Sequence, residues 1–269
     1  MSKGNLTFVG LGLYDEKDIS LKGLEEIKKS DRVYAEFYTA KLFGTDIKKI
    51  EKTIGKKIEV LSREETEKDD RILESATREN VVFLTCGDPL VATTHVDLRL
   101  RAIELGIKTS VVHGSSIITA VPGLLGLQNY KFGRTTTLAY PEKDYFPTSP
   151  YEVIKDNKKM GLHTLVLLDI QADKNRYMTA NDGLKLLLKM EEKHGENIIK
   201  EDKIVCVVAR AGSSNPLAMA NTVGSLLEVD FGPPLHTLVV PGNLHFMEIK
   251  ALEILAQLPA QQVRKLQKL

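Results

Sequence analysis

Three segments of the 269-residue sequence combine glycines with small or polar side chains directly after a short apolar run: residues 10–12, 85–95 and 113–117. Sheets of α/β proteins bind ligands at the carboxyl ends of their parallel strands, so these segments predict a ligand site built from strand-end loops. Gly87 lets the backbone come close to a ligand. No helix cap or core contact requires the carboxylate of Asp88, and we therefore expect it to serve the ligand.

The first segment matches a dinucleotide-binding loop in two glycines only. The fingerprint needs a third glycine or alanine three positions after Gly12, where Asp15 stands, and the next helix begins only near Ser20. A nicotinamide-dependent oxidoreductase would also need an acidic ribose partner near Glu36. The sequence favours a plain glycine loop, with the nicotinamide enzyme kept as an alternative.

The sequence gives little support to a catalytic nucleophile or to a metal site. The segment around Ser116 lacks the second glycine of a Gly-x-Ser-x-Gly elbow, so Ser116 is either a ligand contact or a helix N-cap. His95 could act as a base or as a structural hydrogen-bonding group. The sequence has no HExxH or paired-carboxylate motif, so we expect no metal and name no catalytic residue.

Short apolar runs alternate with amphipathic stretches along the chain. The predicted strands cover residues 6–9, 33–37, 58–61, 81–85, 109–113, 164–170, 204–209 and 236–240. Several runs are continuous, as in strands buried on both faces. Helices are predicted from a Ser20 cap, from a capping box of Ser62 and Glu65, over 98–105 before Gly106, from Asn181 to Gly195 and over 246–258. This order predicts an α/β fold with a largely parallel sheet.

Residues 114–163 interrupt the alternation, and three prolines among residues 141–150 argue against a regular helix there. We place a domain boundary near Gly114. Residues 1–113 then form an N-terminal α/β domain with the GLGL and GDP loops, and residues 114–269 form a C-terminal α/β domain.

The amino-acid composition limits the classes of partner that we expect. The 37 basic and 36 acidic residues leave a net charge of +1, which gives no overall attraction to nucleic acid or an anionic membrane. The sequence has no signal-peptide pattern and no apolar run near 18 residues, so we expect a soluble, cytoplasmic protein. A non-catalytic interaction module would fit this surface but would leave the small residues at strand ends unexplained.

Taken together, these segments resemble the diphthine synthase family, within the tetrapyrrole-methylase-like group of S-adenosylmethionine-dependent methyltransferases. The resemblance rests on motifs spread over residues 10–245, among them GLGLYDE (10–16), GDPLVATTH (87–95), FPTS (146–149), ARAGS (209–213) and PGNLH (241–245). One departure matters, because Leu13-Tyr14-Asp15 stands where the porphyrin-precursor methylases have a Pro-Gly-Asp loop. This weakens a tetrapyrrole or cobalamin precursor as the substrate, which stays an alternative.

The resemblance implies two α/β domains with mostly parallel or mixed sheets and a cofactor cleft between them, which the second domain completes. It also implies which residues contact the methyl donor S-adenosylmethionine: Leu13, Asp88, Val91, Ser116, Ile117, Leu168, Ala211 and His236. Ala211 can be confused with Ala209, two residues earlier.

The activity implied by the resemblance is successive N-methylation within diphthamide biosynthesis. The substrate would be translation elongation factor 2, at the amino group of a histidine-borne 3-amino-3-carboxypropyl chain, with S-adenosylhomocysteine as the product. The resemblance also implies a homodimer.

Residues 139–151 hold four of the sixteen aromatic side chains. Tyrosine offers apolar area with a polar tip at low entropic cost, so this segment predicts a loop that recognises a protein substrate. The alternative is that it covers the core of the second domain.

Overall fold

A computed structural model describes residues 4–142 and 146–268, and the chain divides into two units. The first unit comprises Met1–Ile117 and Ile170–Arg176, and the second comprises Ile118–Asp169 and Tyr177–Leu269. The division therefore falls four residues beyond the expected boundary. Residues 170–176 also belong to the first unit, which the hydrophobic pattern of the sequence does not predict.

The first unit contains a five-stranded parallel sheet in the order β3-β2-β4-β1-β5. Its strands are β1 (Asn5–Gly10), β2 (Arg32–Glu36), β3 (Glu59–Leu61), β4 (Asn80–Thr85) and β5 (Lys108–Val112). Its helices are α1 (Leu21–Lys29), α2 (Ile47–Ile54), α3 (Arg63–Glu67), α4 (Arg71–Ala76) and α5 (Val96–Glu104), with a 3-10 turn at Glu16–Asp18.

The continuous apolar runs of the central strands are explained by burial on both faces. Successive side chains of a strand point to opposite faces. Val81 and Phe83 of β4 join one hydrophobic core, and Val82 and Leu84 join the other. The sheet is thus covered on both sides, as the sequence predicts for parallel strands.

The predicted helix ends of this unit are confirmed. The Ser20 hydroxyl accepts a hydrogen bond from the Gly23 amide at 3.1 Å, and Ser62 and Glu65 form the predicted capping box before α3. Gly106 follows α5 with φ +72°, the left-handed conformation that glycine adopts without strain.

The second unit contains a mixed five-stranded sheet in the order β11-β10-β12-β7-β6. Its elements and those at its border are α6 (Ile117–Leu125), β6 (Thr136–Leu138), α7 (Ser149–Lys159), β7 (Thr164–Leu168), β8 (Ile170–Gln171), β9 (Arg176–Tyr177), α8 (Ala180–His194), β10 (Ile204–Ala209), β11 (Leu217–Thr222), α9 (Val223–Leu227), β12 (His236–Val240), α10 (Phe246–Leu255) and α11 (Ala260–Leu266). Short 3-10 turns lie at Asn129–Lys131 and Ala172–Lys174.

The α/β class with parallel and mixed sheets is confirmed, but the second sheet is less parallel than the continuous runs suggest. Strand β12 pairs antiparallel with both β10 and β7, and β11 pairs antiparallel with β10. Among the described strands of this sheet, only β6 and β7 pair in parallel. Both β10 and β12 are buried on both faces, so their apolar runs do not reveal strand direction.

The described part of residues 114–163 includes the helices α6 and α7 and the strand β6, where the sequence indicates only an interruption. Helix α7 begins at Ser149 and places Pro150 in its first turn, where proline's missing amide costs nothing. The prolines therefore delay this helix rather than prevent it.

The aromatic segment 139–151 contributes to the core of the second unit. Tyr151 is fully buried and its hydroxyl donates to Glu191 Oε2 at 2.8 Å. Tyr140 and Phe146 are partly buried and pack against the same core, whereas Tyr145 lies outside the described residues. These contacts favour the covering role over the predicted recognition loop.

A buried carboxylate, Glu248, ties three segments of the second unit together. Its oxygens accept hydrogen bonds from the amides of Gln128 and His245, at 2.9 and 2.8 Å, and pair with the Lys131 ammonium. His163 Nδ1 accepts from the Gly242 amide, so Nε2 carries the proton that is donated to Glu248 at 3.0 Å.

The protonation of Glu248 couples this network to pH. Burial alone would raise the pKa of its carboxyl, but Lys131 and the surrounding donors hold that pKa down, at about 2. The pKa of Glu248 is lower in the folded protein than in the unfolded chain. The ionised carboxylate therefore stabilises the fold above about pH 5, and this stabilisation is lost as pH falls toward the pKa of the folded state.

We expect Glu248→Gln to lower the free energy of unfolding at pH 7 by about 3 kcal/mol. Urea unfolding at pH 7 and pH 3 should show a steep loss of stability in the wild type and a shallower one in the variant. Glu253→Gln on the same helix removes an exposed pair with Lys250 and should change stability by less than about 1 kcal/mol. Equal effects of the two substitutions would contradict this role of Glu248.

Candidate functional site

The ends of β4, β1 and β5, three neighbouring strands of the first sheet, bring three glycine backbones into contact. A Cβ atom on Gly10 would lie 2.5 Å from the Gly87 carbonyl oxygen and 2.8 Å from the Gly114 nitrogen. A Cβ atom on Gly114 would lie 2.5 Å from the same Gly87 oxygen. No side chain fits at either position, so the three predicted loops meet at one edge of the sheet.

The first loop is fixed by backbone pairing. Gly12 and Gly87 exchange two hydrogen bonds, at 3.2 and 2.7 Å, and have φ of +80° and +71°. Beyond them, the Asp18 carboxylate accepts from the amides of Leu13 and Tyr14 at 3.1 and 2.7 Å. The glycines thus serve conformation and close packing, and they hold Leu13 at the sheet edge.

Asp88 joins the second loop to the third. Its Oδ2 accepts hydrogen bonds from the Gly114 amide at 3.1 Å and from His113 Nδ1 at 2.9 Å. These two hydrogen bonds give the carboxylate a structural role between the loops that the sequence did not indicate. Its other oxygen, Oδ1, accepts no hydrogen bond from any described residue and can still accept one from a ligand.

The backbone after Asp88 adopts an unusual conformation. Leu90 and Ala92 have φ of +67° and +54°, a region that side-chain-bearing residues rarely occupy. Such conformations cost of order 1–3 kcal/mol each and cluster at ligand-binding loops. Between them, Val91 is 37% exposed.

The third loop leads into α6. Ser116, which is 8% exposed, directly precedes that helix, and Ile117 is its first residue. Five of the eight residues implied by the resemblance therefore lie on the loops after β1, β4 and β5 or, for Ile117, at the start of the following helix.

The other three residues lie at one edge of the second sheet. Leu168 ends β7, His236 begins β12, and Ala211 follows β10 by two residues. Because β12 runs antiparallel to β7 and β10, its first residue lies beside their last ones, and His236 pairs with Ala209. Ala209 is a fully buried strand residue, whereas Ala211 lies in the following loop.

The imidazole of His236 has hydrogen-bond partners on both sides. Its Nδ1 accepts from the Ala180 amide at 3.1 Å, so Nε2 carries the proton and donates to the Pro233 carbonyl at 3.1 Å. Burial lowers the pKa of this histidine and keeps it neutral. A ligand can therefore contact His236 only through its ring carbons or its backbone.

His95 is a buried structural group. It is 2% exposed, with Nε2 3.4 Å from the Tyr38 hydroxyl and 3.8 Å from Glu36. Burial lowers the pKa of His95 to about 4, so it is neutral at physiological pH. Its ring also lies edge-on to Phe83, with centroids 5.1 Å apart.

Glu36 is not available to a ribose. Its carboxylate is completely buried and accepts from the amides of Tyr38 and Thr39, both at 3.0 Å. This removes the acidic partner that a nicotinamide enzyme would need.

Among residues 4–142 and 146–268, one group could in principle hold a metal ion: Glu152, His194 and Glu196. The Lys155 ammonium already lies 3.3 and 2.7 Å from its two carboxylates and supplies the compensating charge. No helix in this part of the chain is long and apolar enough to cross a membrane.

The structure adds one residue that the sequence reasoning did not single out. The side chain of His113 is 78% exposed while its Nδ1 is held by Asp88. The hydrogen bond between His113 and Asp88 depends on β4 and β5 both lying next to β1 in the sheet. The spacing of the two residues in the sequence does not predict it.

Comparisons with known proteins identify the family. Residues 5–227 match the family described as Tetrapyrrole (Corrin/Porphyrin) Methylases. The diphthine synthase of Methanococcus aeolicus is 53% identical over 253 residues, covering 94% of this chain and 98% of that protein. The diphthine synthase of Methanosarcina acetivorans is 52% identical over 261 residues, covering 95% and 97%.

Solved structures give the same result. A crystal structure of diphthine synthase superposes with a TM-score of 0.88 at 40% identity, covering 96% of this chain and 98% of that one. A putative diphthine synthase from Entamoeba histolytica has a TM-score of 0.87 at 38% identity, with 94% and 98% covered.

We expect Gly114→Ala to destabilise the protein by about 1–3 kcal/mol, because the added methyl group meets backbone atoms that cannot move aside. Gly123→Ala is the matched control, since a Cβ there meets nothing within 4 Å. Urea unfolding should show a loss for the first variant and no loss for the second. Equal stability of the two variants would mean that the glycine contact has room for a side chain.

Proposed function

Since the chain belongs to the diphthine synthase family of the tetrapyrrole methylases, and is a methyltransferase of diphthamide biosynthesis, we propose that its substrate is translation elongation factor 2. It transfers methyl groups from S-adenosylmethionine to the amino group of the 3-amino-3-carboxypropyl chain on a histidine of that factor. The observation that carries the proposal is the identity above 50% to diphthine synthases along nearly the whole chain.

We propose that the eight residues implied by the family resemblance contact the methyl donor. The loops after β1, β4 and β5 contribute Leu13, Asp88, Val91, Ser116 and Ile117, and the second unit contributes Leu168, Ala211 and His236. Two features support the assignment in the first unit. The contact of Gly10, Gly87 and Gly114 brings the three loops to one edge of the sheet, and the Asp88 carboxylate can accept from a hydroxyl or ammonium group.

S-adenosylmethionine, when bound, supplies an electrophilic methyl group on a sulfonium. Transfer to an amine is a displacement that depends chiefly on bringing the two reactants together in the right orientation. The role of the chain is therefore to fix the donor through its strand-end loops. Holding the loops in one conformation before binding lowers the entropic cost of that orientation.

Two other functions lose support. Leu13-Tyr14-Asp15 replaces the Pro-Gly-Asp loop of the porphyrin-precursor methylases, and Tyr14 is held by Asp18. Asp15, in place of a third glycine, and the occupied carboxylate of Glu36 argue against a nicotinamide enzyme.

The family resemblance also supports a homodimer, and we propose a cytoplasmic location. The net charge of +1 gives no overall attraction to nucleic acid or to an anionic membrane, so neither is proposed as a partner.

The direct test is incubation with elongation factor 2 that carries the 3-amino-3-carboxypropyl group, followed by mass spectrometry. We expect successive mass increases of one methyl group each, located on the modified histidine, and one S-adenosylhomocysteine for each methyl group. Factor that lacks the modification is the control and should remain unmethylated. Methylation of both forms, or of neither, would contradict the proposed substrate.

A further inference from the structure

We propose that His113 is the general base that removes a proton from the acceptor amine; this inference rests on the proposed function. An aliphatic amine is mostly protonated at neutral pH, and an ammonium nitrogen has no lone pair with which to attack a methyl group. A base next to the acceptor would supply the reactive form within the site.

The hydrogen bonding of His113 sets its tautomer. Asp88 Oδ2 already accepts from the Gly114 amide at 3.1 Å, so it acts as an acceptor toward His113 Nδ1 at 2.9 Å. Nδ1 therefore carries the proton and Nε2 carries the lone pair. This is the arrangement in which a carboxylate orients an imidazole and stabilises the imidazolium formed when Nε2 takes a proton.

Accessibility separates the two members of the pair. The Asp88 side chain is 12% exposed, whereas that of His113 is 78% exposed. No described residue other than Asp88 hydrogen-bonds to the imidazole, so Nε2 is open to a substrate. The carboxylate is sheltered where it can hold the ring, and the basic nitrogen faces outward.

The position of His113 places this base beside the proposed methyl-donor residues. It directly follows β5 and directly precedes Gly114, whose backbone is packed against Gly10 and Gly87. Asp88 belongs to both the donor site and the pair. The backbone that carries the imidazole is thus held in place by the same contacts that shape the donor loops, as a preorganised base requires.

The other five histidines do not offer this combination. His163 and His236 use both ring nitrogens in internal hydrogen bonds, and His95 is buried. His245 caps α10. His194 lies on α8 in the second unit, stacked on Tyr151 and 3.4 Å from Glu152.

The proton and electron balance closes in each round. Nε2 of His113 takes a proton from the ammonium, and the N–H electron pair becomes the nitrogen lone pair. That pair forms the N–C bond to the methyl group while the C–S bond breaks, and its electrons stay on sulfur in S-adenosylhomocysteine. The imidazolium returns its proton to solvent. After three rounds the nitrogen carries no proton and no lone pair, so the reaction stops.

The test is single-turnover methyl transfer at saturating S-adenosylmethionine with modified elongation factor 2. His113→Asn keeps an N–H that can donate to Asp88 but has no basic nitrogen. We expect the rate of the first methylation to fall by about 10²–10⁴-fold, with S-adenosylhomocysteine affinity within about threefold of wild type. In His113→Ala, added imidazole should restore part of the rate.

The matched control is His194→Asn, which alters another carboxylate-paired histidine and should leave the rate unchanged. A near-wild-type rate for His113→Asn would overturn the proposal. If His113→Ala is slow and added imidazole does not restore any of its rate, the proposal is also overturned, because that result indicates a positioning role for His113. If wild-type protein methylates nothing, the proposed function itself fails and the base falls with it.

Discussion

The contact of three backbones at Gly10, Gly87 and Gly114 is the constraint on which the site depends. A side chain on Gly10 or Gly114 would come within 2.5 Å of the Gly87 carbonyl oxygen, so the sequence must place glycine at the ends of β1 and β5. Because the three loops share this contact, their polar groups are brought to one edge of the sheet. The hydrogen bonds of Asp88 to Gly114 and His113 follow from that closeness.

Three of the six histidines, His95, His163 and His236, are buried, whereas His113 is exposed. Desolvation lowers the pKa of His95 to about 4 and lowers the pKa of His163 and His236 as well. The rings of His163 and His236 use both nitrogens in hydrogen bonds inside the second unit. His113 is exposed and oriented by a sheltered carboxylate, so the same residue type serves chemistry at this position.

The sequence predicts local features better than pairings between distant segments. The apolar runs locate β1, β4, β10 and β12, and the cap of Ser20 needs only adjacent residues. Strand β11 was missed because it is mostly half-buried and lacks a strong pattern. The antiparallel pairing of β12 and the bond between Asp88 and His113 depend on strand order, which periodicity does not contain.

Hydrogen exchange with and without S-adenosylhomocysteine tests the central claim, that the loops meeting at the glycine contact bind the methyl donor. We expect slower amide exchange in residues 11–14, 87–92 and 114–118 when the ligand is bound, because binding reduces the opening of these loops. The titration should be carried out at ligand concentrations shown by calorimetry to saturate the protein. Saturation without slower exchange in any of the three segments would contradict the account.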